Sequence, residues 1–326
     1  MQIHERITGA LWGTAVGDAL GVPVEGVPRR EMDSAPVSAM RGGGVHGQPA
    51  GTWSDDTSMT LAGADSLARR GWDPLDQLER FGRWAFDGAY TPYGVAFGLG
   101  RTTRAALRRF RDGVPPHACG GNDESDNGNG ALMRAFPVAA WTRDGPPAVA
   151  VPILEGAAAL THRHPRSRLA TVLYGLVVHR LLGARAGTPV PHVVGDAVAA
   201  LDGPEVRQAI SSDALEELPV FRRIVSGDLF RLHRDDVRST GYVVDTLEAA
   251  LWCLARGRSF RDAVLLAVNL GGDTDTVAAV TGALAGARFG SAAIPTEWVG
   301  ALATPARLEA IIDAFADRVV APSTKR

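Results

Sequence analysis

Apolar residues recur at intervals of three and four along most of the chain, and few stretches alternate apolar with polar residues. The first spacing is typical of helices that bury one face, whereas alternation is typical of strands. The pattern therefore predicts an all-α protein. The predicted helices are Glu5–Leu20, Asp55–Arg70, Asp76–Phe86, Thr102–Phe110, Ala131–Trp141, Val149–Leu160, Arg168–Leu182, Val193–Leu201, Tyr242–Ala255, Phe260–Leu270 and Thr276–Phe289.

Segments rich in glycine and proline separate these helices, but none resembles a flexible linker, and no unit repeats at a fixed period. A chain of 326 residues is long enough for two domains. Because no linker or repeat divides it, we expect one large helical domain over residues 1–321. We expect the tail, residues 322–326, to fray.

The composition is that of an ordinary globular protein, with 45% hydrophobic and 21% charged residues. The formal net charge of −2 gives no global field that would attract nucleic acid or anionic lipid. Two cysteines are too few for a disulfide framework or a structural zinc site. No apolar run reaches the roughly 18 residues of a membrane span, and Asp18 interrupts what would be the core of a signal peptide. We therefore expect a soluble cytoplasmic protein.

The chain contains 38 glycines, which cluster beside acidic or amide residues. Several lie inside predicted helices, where a glycine costs about 1 kcal/mol relative to alanine. Close packing of helices or close approach of a ligand would offset that cost. The clusters are Gly9–Gly26, Gly42–Gly51, Gly120–Gly130 and Gly271–Gly290.

Two segments far apart in the chain each combine two carboxylates with a hydroxyl group at a predicted helix start. In the first, Ser54 stands at an N-cap position, and Asp55 and Asp56 follow in the first turn. In the second, Asp273, Asp275 and a threonine lead into a helix of small residues. One such segment alone is typical of a well-capped helix. Two of them favour a shared site.

The ligand chemistry of such a shared site favours hard divalent cations. Carboxylate and hydroxyl oxygens suit Mg²⁺, Mn²⁺ or Ca²⁺, whereas zinc prefers histidine and cysteine. Four unpaired carboxylates inside a helical bundle would be strongly destabilising, and two divalent cations would balance their charge. Pairs of ions about 3.5 to 4 Å apart are a known catalytic arrangement.

Six motifs, in order along nearly the whole chain, resemble those of the ADP-ribosylglycohydrolase family. One alone would be weak evidence, but six in the family's order are specific. The motifs are Gly17-Asp18-Ala19-Leu20-Gly21 with Glu25, Ser54-Asp55-Asp56-Thr57, Gly128-Asn129-Gly130-Ala131-Leu132-Met133-Arg134 with Pro137, Thr161-His162-Arg163-His164-Pro165, Thr246-Leu247-Glu248-Ala249-Ala250-Leu251-Trp252 and Gly271-Gly272-Asp273-Thr274-Asp275-Thr276.

The resemblance implies an all-α fold made of one large orthogonal helical bundle. It implies a metal-dependent hydrolase that cleaves the N- or O-glycosidic bond between ADP-ribose and an acceptor, with an arginine side chain of a modified protein favoured. It also implies two Mg²⁺ or Mn²⁺ ions, ADP-ribose as product and a monomer. The implied metal ligands are Ser54, Asp55, Asp56, Asp273, Asp275 and Thr276.

Glu25 matches the acidic residue that relatives place beside the metals, and we assign it the general acid/base role. Its apolar neighbours Val22-Pro23-Val24 favour a desolvated carboxylate. We expect Asp18, by contrast, to orient neighbouring groups of the cleft.

The amide and glycine segment Asn127–Gly130 precedes a predicted helix that starts near Ala131. Free backbone N–H groups at such a helix start would bind a pyrophosphate, although a simple turn and helix cap is the other interpretation. The resemblance adds His162 as a contact in the phosphate and ribose region, whereas we expect His164 to lie in a turn or in the core. The implied substrate-binding residues are Asn127, Gly128, Asn129, Gly130, Met133 and His162.

Two positions depart from the family pattern. Gly98 stands where many relatives have an aspartate, so a second acidic helper is missing. The run of residues 122–127 lacks the aromatic residue that some relatives stack on adenine, and the candidates to replace it are Phe97, Tyr93 and Phe136.

Two other functions remain open. One is a catalytically silent, ADP-ribose-binding or crystallin-like structural relative, against which the intact acidic set argues. The other is a two-metal phosphoesterase, which would not depend on Asn127–Gly130. The acceptor is also open among arginine, serine, another side chain, a nucleic acid end and a free metabolite, because it contacts the variable rim of the cleft.

Overall fold

The computed structural model describes residues 1–321, so the predicted frayed tail Pro322–Arg326 lies outside the described residues. The described chain forms seventeen α-helices and no β-sheet, which confirms the all-α prediction. Among residues 1–321, no helix combines the length and the hydrophobicity that a membrane span requires. The first nine α-helices of the described chain are α1 (Ile3–Gly21), α2 (Arg29–Ser34), α3 (Asp55–Arg70), α4 (Pro74–Asp87), α5 (Arg101–Arg111), α6 (Phe136–Thr142), α7 (Pro147–Ala159), α8 (Pro165–Gly183) and α9 (Val190–Asp202). The others are α10 (Pro204–Ala209), α11 (Ser212–Glu216), α12 (Arg222–Ser226), α13 (Val243–Arg256), α14 (Phe260–Val268), α15 (Thr274–Phe289), α16 (Thr296–Ala301) and α17 (Pro305–Val320).

The closest helix pair in the core is α1 against α15. Glycine occupies every fourth position of α1 from residue 9 to residue 21, which gives the helix one bare face. A Cβ at Gly17 would lie 2.0 Å from the carbonyl oxygen of Ala278, so any side chain there would force the backbones apart. Close helix packing thus accounts for this glycine cluster, and it brings Asp18 of α1 beside Asp275 of α15.

Helix α3 runs through the interior and is buried continuously from Asp55 to Ala64. It packs against α1, α4, α6 and α17. Because α3 and α15 both begin inside the protein, the acidic residues of their first turns are buried with them.

The predicted helix Ala131–Trp141 is wrong in its first half, because α6 begins only at Phe136. Residues 129–134 form turns. Pro137 explains the difference, since proline fits the first turn of a helix but removes a hydrogen bond and clashes in the interior. A helix starting at Ala131 would have placed Pro137 in its interior.

The sequence pattern also missed α17, although its buried residues follow helical spacing: Leu308, Ile312, Phe315 and Val319. This helix begins with Pro305 in its first turn and packs against α3 and α1. It therefore supports the two helices that carry Asp18, Asp55 and Asp56.

Candidate active site

The structure brings the two predicted acidic segments together. Asp56, in the first turn of α3, faces the first turn of α15, where Thr276 Oγ1 lies 3.4 Å from Asp56 Oδ2. One carboxylate oxygen from each of Asp18, Asp56 and Asp275 lies within 4.8 Å of the other two. The other two predicted acidic ligands, Asp55 and Asp273, line the adjoining cleft.

One atom of this cluster has no bonding partner in the described protein. Asp56 Oδ2 accepts a hydrogen bond from Ser54 Oγ at 2.9 Å, but Asp56 Oδ1 is buried without any hydrogen bond. A buried carboxylate oxygen of this kind is costly unless a cation or a donor satisfies it. The donor set consists of carboxylate and hydroxyl oxygens, which fits a hard divalent cation.

Burial, and then the repulsion between neighbouring carboxylates, raises the pKa values of the acidic cluster. Burial and then the Asp18 carboxylate raise the pKa of Asp55 from 3.8 to about 8. Burial, followed by neighbouring carboxylates, holds the pKa values of Asp56 and Asp275 well above the ordinary range. The folded protein therefore resists ionising all these groups at once, and bound cations would relieve that resistance.

We expect the stability of metal-free protein to fall as the pH rises from about 6.5 to about 8.5. Carboxylates whose folded pKa values are raised bind more protons in the native than in the unfolded state, so stability decreases with pH until they have ionised. The lowered pKa values of His162 and His179 act in the opposite direction, but only below their unfolded value of 6.5. The measurement is the Tm in a chelator, with a decrease of about 1 to 2 °C for each kcal/mol lost in a chain of this length.

Saturating Mg²⁺ or Mn²⁺ should largely abolish that slope, because the bound cation stabilises the ionised form. A metal-free Tm that rises over the same interval would mean that these carboxylates do not repel one another in solution.

Asp18 holds the start of α3 in place. Its carboxylate accepts hydrogen bonds from the backbone N–H groups of Ser54 and Thr57, each at 3.0 Å, and from Thr57 Oγ1 at 2.6 Å. Burial raises its pKa to about 6, and these hydrogen bonds oppose the shift. Both oxygens already have donors, which supports the positioning role expected for Asp18.

Glu25 stands at the mouth of the cleft, directly after a short 3₁₀ turn of buried residues, Val22–Val24. Its side chain is 36% exposed rather than desolvated, because it leaves this apolar turn and reaches His46. His46 Nε2 lies 2.5 Å from Glu25 Oε2, and the His46 ring packs against Phe97 at a centroid distance of 5.1 Å.

Sequence reasoning missed His46. It lies in a loop of residues 42–51 that has no hydrophobic periodicity, and the only available signal was a histidine in a glycine-rich loop between Glu25 and Ser54. The pairing fixes one oxygen of the Glu25 carboxylate.

A cleft of about 270 Å³ opens beside the acidic cluster. Asn127 does not line it: the Asn127 side chain donates to the Glu124 carbonyl at 3.1 Å and accepts from Ser167 Oγ at 3.0 Å. The other five predicted substrate-binding residues line its wall: Gly128, Asn129, Gly130, Met133 and His162.

Because α6 begins only at Phe136, the candidate anion-binding groups of this wall do not come from a helix N-terminus. Gly128–Gly130 belong to a turn, so an anion there would meet turn N–H groups and no helix N-terminus. Within the described residues, the N–H groups of Gly128 and Gly130 have no protein acceptor. Asn129 Nδ2 donates to Asp273 Oδ2 at 2.8 Å and thereby joins the wall to the acidic cluster.

The two histidines of the Thr-His-x-His-Pro motif separate as expected. His164 caps α8, since its Nδ1 accepts from the Arg166 N–H at 3.2 Å. His162 lines the cleft, and burial followed by the charge of Arg134 lowers its pKa to about 3. His162 is therefore neutral at physiological pH.

The structure explains one departure from the family pattern. Gly98 has φ +80°, and a Cβ there would lie 2.2 Å from Asp55 Oδ1. In this conformation a side chain at position 98 would be strained by the positive φ and would displace the Asp55 carboxylate. Of the aromatic candidates for adenine, Phe136 is excluded because it is fully buried, and Phe97 is already packed on His46.

The all-α fold thus places buried carboxylates at two helix starts beside a polar cleft. The chain belongs to the ADP-ribosylglycohydrolase family, whose model matches residues 1–325. The resemblance and the hydrolase class predicted from the motifs are thereby confirmed.

The sequences of individual relatives match this sequence over most of its length. It is 34% identical over 319 residues to ADP-ribosylarginine hydrolase Tri1 of Pseudomonas putida, covering 97% of this chain and 79% of the relative. It is 33% identical to ADP-ribosyl-[dinitrogen reductase] glycohydrolase of Rhodospirillum rubrum, covering 92% and 91%. A solved structure, an ADP-ribosylglycohydrolase-related protein complex, matches with TM-score 0.80 and 36% identity over 98% of this chain and 99% of that one.

Proposed function

We propose that this protein hydrolyses the N-glycosidic bond between ADP-ribose and an arginine side chain of a modified protein. The observation that carries the proposal is the buried carboxylate cluster beneath the cleft, with Asp56 Oδ1 unpartnered inside it and Glu25 at the mouth. Arginine is favoured because relatives covering most of the chain are named for that acceptor.

The cluster would hold two divalent cations, Mg²⁺ or Mn²⁺. Four carboxylates would balance the charge of two such ions. Asp18 is not one of these ligands, because its carboxylate holds the start of α3. The chemistry that divalent ions supply in a site of this type is charge neutralisation and Lewis acidity toward an oxygen ligand. The proposed ligands are Ser54, Asp55, Asp56, Asp273, Asp275 and Thr276.

Glu25 supplies the proton transfer. Its carboxylate takes a proton from the attacking water as the water oxygen bonds to the anomeric carbon, and the carbon–nitrogen bond breaks with its electron pair going to the guanidine nitrogen. The proton is then available for the released arginine. His46 pairs with Glu25 Oε2, which leaves Oε1 as the oxygen available for this exchange.

The wall of the cleft positions the ADP-ribose. The free N–H groups of Gly128 and Gly130 are suitable donors to phosphate oxygens. Arg101 at the rim, which pairs with Asp126 at 3.2 Å, is a further donor within reach of the cleft.

The proposal is tested by offering the protein several modified substrates with Mg²⁺ or Mn²⁺ and measuring free ADP-ribose by chromatography. The panel comprises one peptide ADP-ribosylated on arginine, one on serine, and p-nitrophenyl phosphate. We expect release from the arginine peptide and its loss when a chelator is added.

Release from the serine peptide alone would overturn the arginine acceptor while leaving the family chemistry in place. Phosphate release from p-nitrophenyl phosphate, without ADP-ribose release, would favour a phosphoesterase. Binding of ADP-ribose without turnover of any substrate would favour a catalytically silent relative.

A further inference from the structure

Arg134 is a buried cation without an acidic partner. Its guanidinium lies on the Phe81 ring, 4.6 Å from the centroid, and within residues 1–321 no carboxylate forms an ion pair with it. Nη1 donates to the Ala157 carbonyl at 3.3 Å, Nη2 donates to Thr161 Oγ1 at 2.7 Å, and Nε has no partner. Burial lowers the pKa of Arg134 to about 9, which leaves the group charged at neutral pH. Burying such a charge is costly, so a role for it is expected.

The Thr161 hydroxyl connects Arg134 to His162. Thr161 Oγ1 lies 2.8 Å from His162 Nδ1, and both residues are buried. A guanidinium can only donate, so the Thr161 oxygen accepts from Arg134. The hydroxyl proton has no other acceptor among the described residues than His162 Nδ1. Nδ1 is therefore the acceptor, and the proton of the neutral ring is on Nε2.

The opposite edge of the ring faces the wall of the cleft. A Cβ at Gly128 would lie 3.5 Å from His162 Nε2, and one at Gly130 would lie 2.9 Å from His162 Cε1. No protein atom in the described chain accepts a hydrogen bond from His162 Nε2. This nitrogen is accessible from the cleft, which His162 lines. The two glycines leave the room that a ligand oxygen needs to reach this N–H group.

We propose that Arg134 and Thr161 are positioning residues that fix His162 as a single tautomer, with its Nε2–H directed at an anionic oxygen of the bound ligand. Under the proposed function, on which the identity of the ligand rests, that oxygen belongs to the diphosphate of ADP-ribose. The chain Arg134–Thr161–His162 orders the donor before the ligand arrives, so less ordering is left to occur on binding. Charged Arg134 also adds a favourable field beneath the anion site.

The tautomer is tested first, on unliganded protein, by nitrogen NMR of labelled histidine assigned through His162→Asn. We expect Nδ1 to resonate as an unprotonated nitrogen and Nε2 as a protonated one across neutral pH. A protonated Nδ1 would overturn the proposal. This measurement requires no activity, so it shows whether Thr161 donates to His162 Nδ1 even if the proposed function fails.

The effect on binding is tested with a matched pair of variants in Mg²⁺-loaded protein. Thr161→Val removes the hydroxyl at nearly constant size, whereas Thr161→Ser keeps it. We expect Thr161→Val to weaken ADP-ribose binding about 10-fold by calorimetry, as the loss of one well-placed hydrogen bond would. Thr161→Ser should bind within about 2-fold of the parent and retain its histidine spectrum.

Equal affinity of Thr161→Val and the parent would refute the positioning role of Thr161. Equal weakening in the serine and valine variants would also refute it, because it would indicate that Thr161 acts through packing. If Thr161→Val does not fold, the nitrogen spectrum of the unliganded parent protein still decides whether His162 Nδ1 accepts from Thr161. In Thr161→Val kcat should change less than the dissociation constant, because Thr161 does not touch the reacting atoms.

Discussion

Replacing Asp56 by asparagine is expected to reduce turnover about 10³-fold or more while raising the thermal stability of metal-free protein. The activity falls because Asp56 contributes the buried carboxylate that bridges the starts of α3 and α15. Metal-ion catalysis is worth several kcal/mol, and each 1.36 kcal/mol corresponds to a factor of ten in rate. The measurement is ADP-ribose release at saturating Mn²⁺.

The predicted gain in stability has an electrostatic cause. Burial and the charges of Asp18, Asp55 and Asp273 disfavour ionised Asp56 in the folded protein. A neutral amide of the same shape removes that repulsion, so the Tm in a chelator should rise by about several degrees at pH 8. The two effects have opposite signs and should be measured on the same preparation.

Asp65→Asn is the matched control. Asp65 also lies on α3, but its carboxylate is neutralised by Arg80 and Arg69 and accepts a hydrogen bond from Tyr90. We expect this variant to lose stability and to keep its activity, which is the reverse of Asp56→Asn. If Asp56→Asn retained turnover within a few-fold, Asp56 would not be a ligand.

Replacing Glu25 by glutamine is expected to lower kcat about 10²- to 10⁴-fold, the usual contribution of a general acid or base. The amide keeps the size of the side chain and a hydrogen-bonding atom for His46, so the mouth of the cleft should retain its shape. Calorimetry should show ADP-ribose affinity within a few-fold of the parent. The combination of lost turnover with retained binding separates a proton-transfer role from a structural one.

The control for this variant is Glu31→Gln, an exposed glutamate on α2 that lines no part of the cleft. Its kcat should equal that of the parent. A kcat of Glu25→Gln within about twofold of the parent would remove Glu25 from the mechanism and direct attention to the other carboxylates of the cleft.

Much of the frame that carries the site is predictable from the sequence because local signals coincide with packing. Helix α3 has the predicted bounds Asp55–Arg70, since Ser54 provides an N-cap and Gly71 follows the last turn. Helices α1 and α15 differ from their predicted bounds by one or two residues. The glycines of α1 were expected to serve either close helix packing or close approach of a ligand, and the structure shows that Gly9, Gly13, Gly17 and Gly21 serve packing on α15 and its flanking residues.

The errors have local physical causes. The start of α6 was placed too early because small and apolar residues after Gly130 satisfy helical spacing, whereas Pro137 decides where the helix begins. Contacts between distant loops carry no periodic signal, so the pairing of His46 with Glu25 could not be read from the sequence. The same holds for Arg134, whose partner Thr161 is 27 positions away.

The structure also shows a conflict between stability and function within one site. Metal-free protein holds Asp18, Asp55, Asp56 and Asp275 in one buried region, each with a raised pKa. Hydrophobic or amide residues would be more stable there. Carboxylates at these positions are therefore better explained by a charged ligand than by packing.

If the proposed function holds, the acidic starts of α3 and α15 bind a pair of divalent cations. The most direct measurement is an anomalous-scattering map of crystals grown with Mn²⁺, collected on both sides of the manganese absorption edge. We predict two anomalous peaks between the carboxylates of Asp55 and Asp56 and those of Asp273 and Asp275. A map without density there, with these side chains directed away from one another, would show that the two helix starts do not form a metal site.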